Sequence, residues 1–170
     1  MRNVMQARLT RNSVRGFSLV EALVALVVLS IGMLGIAALH VESLRSGRTA
    51  LTRTTAVTLA ADMADRIRAN RTAAKADYEA VVTSADTNAK CLPAGAGCTP
   101  AELARHDKAV WLGAISGRVV GGVTIPGLLP GGTGTVSCDD TTTPKTFTIT
   151  ITWSEVNATL PSSYTLTITA

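Results

Sequence analysis

Between Phe17 and Leu39 the chain offers 23 consecutive positions at which Glu21 is the only ionisable side chain. A helix of about 20 apolar residues crosses a bilayer, so this stretch is a membrane-inserting helix. Past Leu39 the pattern turns amphipathic. Leu44, Leu51, Val57, Leu59, Ala60, Met63, Ala64 and Ile67 recur at mostly helical spacings, and Asp62 and Arg66, four apart, can pair on the outer side. No proline precedes Pro93, so nothing forces a break before about residue 72. Gly32 and Gly35 each weaken the helix by about 1 kcal/mol relative to alanine and permit close helix approach.

The remainder reads as a head with two textures. Thr99 as cap, Pro100 at the first helical position and Glu102 three residues after the cap predict a short helix over 100–115, with Leu103, Val110, Trp111 and Ala114 as its apolar stripe. From Arg118 onward Gly, Thr and Val dominate, with short strand candidates at RVVGGVTI and GTVSC. The clearest alternation is TFTITITW, where Phe147, Ile149, Ile151 and Trp153 share one face. SYTLTIT repeats it with Tyr164, Leu166 and Ile168, and the two runs are expected to pair antiparallel through a loop. One face of such a sheet needs a cover, and the amphipathic half of the long helix is the natural one. The expected fold is therefore α+β, a long N-terminal helix, transmembrane and then amphipathic, packed on a C-terminal antiparallel sheet. Its expected segments are a leader over 1–16, a membrane helix over 17–39, an amphipathic continuation over 40–72 and a head over 73–170.

Charge narrows the functional classes. Arg2, Arg8, Arg11 and Arg15 precede the apolar run with no acid among them and account for the whole formal net charge of +4. From Ala73 onward acids outnumber bases, so the head lacks the clustered Lys and Arg of nucleic-acid binding, and no nucleic-acid partner is expected. The basic leader favours a cytoplasmic amino terminus and a periplasmic head. An exported head permits oxidation of its three cysteines. Cys91 and Cys98, close around LPAGAG, are the expected disulfide; the alternative joins Cys138 to one of them.

Chemistry is otherwise sparse. LPGGTGTV, with Gly131, Gly132 and Gly134, lacks the Lys-Ser/Thr of a phosphate loop and reads as a turn into a strand. Asp139 and Asp140 are too few for calcium, and His40 and His106 fall in no metal-ligand spacing with the cysteines. No nucleophile and base stand at a catalytic spacing, and neither a metal nor a cofactor nor enzymatic activity is expected. Glu21 is the exception. A carboxylate at the bilayer centre costs about 2.5–3.5 kcal/mol, so there it needs a partner; the alternative is that Glu21, near the end of the run, reaches the interface. A cut between Gly16 and Phe17 would create an α-amino group four residues before it, a positive partner in the same or a neighbouring chain.

The stretch RGFSLVEALVALVVLSIGMLGI resembles the class III signal of type IV prepilins, a basic leader ending in Gly16, then Phe17, then Glu21, with the apolar run kept after the cut. LAADMADRIRANR, CTPAELARHD, LPGGTGTV and TITITWSE resemble the PilV group of minor pilins. The resemblance implies cleavage between Gly16 and Phe17 by a prepilin peptidase, N-methylation of Phe17 and an assembly contact at Glu21. It further implies insertion in the bacterial inner membrane, then the pilus surface. The implied partners are other minor pilins, the major pilin and the pilus assembly machinery, in a priming or tip complex that serves pilus assembly, twitching and adhesion. A pseudopilin of a type II secretion system shares this amino-terminal physics, and a membrane-anchored binding module is a more distant alternative.

Overall fold

The computed structural model describes residues 16–73, 75–92, 94–141, 143–155 and 158–170. The rest of the expected leader, 1–15, lies outside the described residues. Helix α1 spans Leu19–Ala69, α2 Lys75–Glu79 and α3 Pro100–Ser116, with a 3-10 turn at Ala89–Cys91. Strands β1 (Gly117–Val120) and β2 (Val123–Pro126) form one small sheet. Strands β3 (Thr133–Asp139), β4 (Thr146–Trp153) and β5 (Ser162–Thr169) form a second, in the order β3-β4-β5, antiparallel throughout.

The chain divides into two compact units within α1, one ending at Arg45 and the other spanning Ser46–Ala170. The second unit includes the later part of α1, which supplies a wall of its core. In the first unit every described side chain is exposed, from Phe17 at 86% to Leu39 at 72%. Its helix is long and apolar enough to cross a membrane.

In the second unit α1 buries Ala56, Leu59, Ala60, Met63, Ala64 and Ile67, two adjacent rows at helical spacing. The alanine row lets the helix backbone approach its neighbours closely, while Leu59, Met63 and Ile67 fill the space beside it. Leu44, Leu51 and Val57, expected on this face, are exposed instead, and α1 ends at Ala69 rather than near 72. The opposing surface is the inner face of the sheet, where Phe147, Ile149, Ile151 and Trp153 alternate with outward threonines, joined by Val136 and Ile168. Helix α3 adds Ala104, Trp111 and Ile115 to the same cluster.

Trp111 fixes how the layers meet. Fully buried, it donates its Nε1–H to the carbonyl of Leu59 at 2.8 Å, tying α3 to the middle of α1. Gly134 on β3 makes room for its ring, since a Cβ there would stand 2.5 Å from Trp111 Cζ3 and Cη2. Helix α3 begins with a complete capping box. Thr99 Oγ1 accepts from the Glu102 N–H at 3.3 Å, Glu102 Oε2 accepts from the Thr99 N–H at 2.8 Å, and Pro100 opens the helix. RVVGGVTI is a hairpin rather than one strand. Gly121 and Gly122, at φ 57° and 81°, form a turn that needs two left-handed residues.

Candidate processing and assembly segment

Residues 16–18 precede α1 without helical structure, and Ser18 acts as its cap, its Oγ accepting the Val20 N–H at 3.3 Å. Gly16 is exposed and, among the described residues, a Cβ there would meet nothing within 4 Å, so none of their side chains screens the peptide bond before Phe17. Glu21 lies in the first turn of α1, where the unsatisfied amide dipoles favour an acid. Its side chain is exposed, and among the described residues no cation stands within ion-pair distance of it. Gly16, Phe17 and Glu21 are therefore gathered at one helix start by their closeness in sequence, and a partner for the carboxylate has to come from outside the described residues.

Every large apolar side chain from Phe17 to Leu39 is exposed, including Leu19, Val28, Ile31 and Leu34. A helix that is apolar on all sides belongs in lipid or among other apolar helices. Gly32 and Gly35 open its surface further, since a Cβ at either would meet nothing within 4 Å.

The remaining candidates all lie in the head. Cys91 and Cys98 are joined as a disulfide, closing the loop that leads into α3. Cys138 is a buried free thiol on β3 whose pKa is pushed up chiefly by burial, so it is a poor nucleophile. Its N–H donates to Glu79 Oε1 at 2.9 Å. Asp139 accepts from Thr141, and Asp140 pairs with Lys75 at 3.4 Å. Gly131 takes φ 57° in the turn before β3. Among the described residues no three His, Cys, Asp or Glu side chains form a group that could hold a metal ion.

Three consecutive residues of α3 carry roles that their sequence positions did not reveal. His106 is buried and its Nδ1 accepts the Asn88 N–H at 2.9 Å, anchoring the loop that carries Cys91. Asp107 receives Arg66 Nη1 at 2.7 Å, binding α3 to α1, while Arg66 also holds Asp62 on its own helix at 3.0 Å. Lys108 donates its Nζ to the carbonyls of Tyr78 and Ala80 at 2.8 and 2.7 Å, and its burial lowers its pKa. The triplet looks like a polar stretch, yet it binds three separate segments because α3 is surrounded on several sides.

Comparison with known families assigns the two stretches separately. Residues 11–37 match the prokaryotic N-terminal methylation motif, and residues 38–109 match the family described as type IV pilin Tt1218. No curated protein and no solved structure matches the chain. The amino-terminal stretch thus carries the class III prepilin motif, and the later part of the helix with the first part of the head matches a type IV pilin domain.

Proposed function

We propose that this chain, with its prepilin motif and type IV pilin domain, is a minor pilin of a type IV pilus. Prepilin peptidase cuts between Gly16 and Phe17 and the new Phe17 amine is methylated. The helix over 17–39 then leaves the inner membrane to pack among other pilin helices, and the head is displayed outward. The observation that carries the reading is a match to the methylation motif over a helix whose apolar surface is exposed on all sides and whose first turn holds one acid. In that role Glu21 pairs with the methylated amine of an adjacent subunit, which offsets the roughly 2.5–3.5 kcal/mol cost of an acid in an apolar core. The PilV-like segments in the head support a place in a priming or tip complex that promotes pilus assembly, twitching and adhesion.

Mass spectrometry of the amino terminus of the membrane-extracted protein, made with and without a prepilin peptidase, tests this. A peptide beginning at Phe17 with one added methyl, seen only with the peptidase, is expected. An intact leader, or a cut beyond the apolar run, would remove both the processing site and the role given to Glu21. Deletion of the gene then separates pilus from secretion system, since a minor pilin loses twitching and a type II pseudopilin loses exoprotein export.

A further inference from the structure

The two edges of the three-stranded sheet are treated differently. Along β3, helix α2 lies beside the strand and Glu79 takes up the Cys138 N–H, so that edge is covered. Along β5, no further strand is paired among the described residues. The direction of its backbone groups follows from one hydrogen bond. Ala170 donates to the carbonyl of Lys145 at 3.0 Å, one step beyond the Thr146–Thr169 pair in the register. Bonded and non-bonded pairs alternate along an antiparallel ladder, so Ile168, Leu166, Tyr164 and Ser162 face β4 with their main chains. Ser163, Thr165, Thr167 and Thr169 then direct their N–H and C=O groups away from it, and their side chains are exposed.

Natural edges of this length are usually blunted by lysine, proline, a bulge or a covering element. Ser162–Thr169 has eight residues and contains no charge, no proline and no glycine. Inward from the edge, Tyr164 and Leu166 are only half-buried, and among the described residues no strand lies beyond β5 to finish covering them.

We propose that the β5 edge is a docking site for a strand from the head of a neighbouring pilin subunit, which extends the sheet by one strand. The inference rests on the pilin reading and names the surface by which this head meets another. A row of main-chain donors and acceptors at strand spacing selects an extended backbone, not a helix or a small molecule. The neutral, alternating edge selects an uncharged strand with apolar residues on the side of Tyr164 and Leu166. Pairing over so few residues is weak between free molecules, but subunits gathered by their apolar helices meet at high effective concentration. That condition selects a subunit of the same assembly rather than a soluble partner.

The test places the photo-crosslinker p-benzoylphenylalanine at position 167 in the full chain, in cells making pili, and identifies adducts by mass spectrometry. An adduct with a strand of a pilin-type head is expected. Thr165→Pro removes an outward N–H while leaving the β4 ladder intact, and is expected to cut the adduct about tenfold, the change that corresponds to roughly 1.4 kcal/mol. Thr165→Lys, which keeps the N–H but charges the edge, is expected to act in the same direction. Processed, methylated protein that gives no adduct, an adduct with another class of protein, or one indifferent to both substitutions would overturn the proposal alone. An unprocessed amino terminus in the same sample would overturn the pilin reading and this proposal with it.

Discussion

Two stretches of one helix are built by opposite rules. Up to Arg45, α1 presents apolar side chains in every direction and buries none of them. From Ala56 to Ile67 it buries two rows and leaves polar residues such as Asp62 and Thr58 outside. The first stretch is finished by something outside the chain, lipid or other helices. The second is finished by the chain itself, through the sheet, Trp111 and the polar braces of α3. Changes in the first are expected to spoil maturation and assembly without touching the head's fold, and changes in the second are expected to do the reverse.

The largest expected effect is at the cut. Gly16→Ala meets no neighbour within 4 Å among the described residues, so their packing gives no reason for it to fail, and loss of cleavage is expected to reflect recognition by the peptidase. Loss of the mature band on an immunoblot is expected, and a mature-sized product would contradict the site. Next is Glu21→Ala, expected to insert and be processed as the native chain is, yet to be depleted from sheared pili. Normal abundance in those pili would sink the pairing of Glu21 with the amine.

Trp111→Ala sharpens the other side of the comparison. A fully buried tryptophan with a hydrogen bond to Leu59 is expected to cost about 3–5 kcal/mol of head stability on truncation. Urea unfolding of the mature protein in detergent measures it. Cleavage after Gly16 should be unaffected in the same preparation, and a processing defect would mean that the two stretches are not independent.

How far each stretch was legible follows from the same contrast. The amino-terminal segment announces itself, because an apolar run with one acid needs no tertiary information to be read. TFTITITW and SYTLTIT were equally plain, since period-two alternation reports a half-buried sheet directly, and Thr99-Pro100 with Glu102 spelled out the start of α3. What stayed hidden depends on contacts between residues far apart in the chain. Ala56 joins the core because of what lies against it, and alanine carries little hydrophobic signal. His106, Asp107 and Lys108 look like a solvated run until α3 is seen to be enclosed. Gly134 was read as part of a turn, but its purpose is to admit a ring 23 positions earlier. The hairpin at Gly121-Gly122 was within reach, since two glycines between β-branched runs are a turn signal.

The smallest expected effect concerns the acid limb of head stability. Thr99's N–H and hydroxyl hold the Glu102 carboxyl below its usual range, and Thr83 and Thr141 do the same for Asp86 and Asp139, as Arg53 does for Glu155. For a carboxyl depressed by folding, the unfolded chain binds more protons between the folded value and about 4.3, so stability rises with pH across that window. The contribution of Glu102 is complete above the unfolded value and is lost as pH falls through the folded one. Glu102→Gln keeps an acceptor for the capping box but cannot titrate. Urea midpoints of the two proteins should therefore differ near neutral pH and converge in acid, on the low side of about pH 4. Curves that run parallel from neutral pH into acid would show that the cap's charge contributes nothing to the head. The braces on α3 would then carry that helix without it.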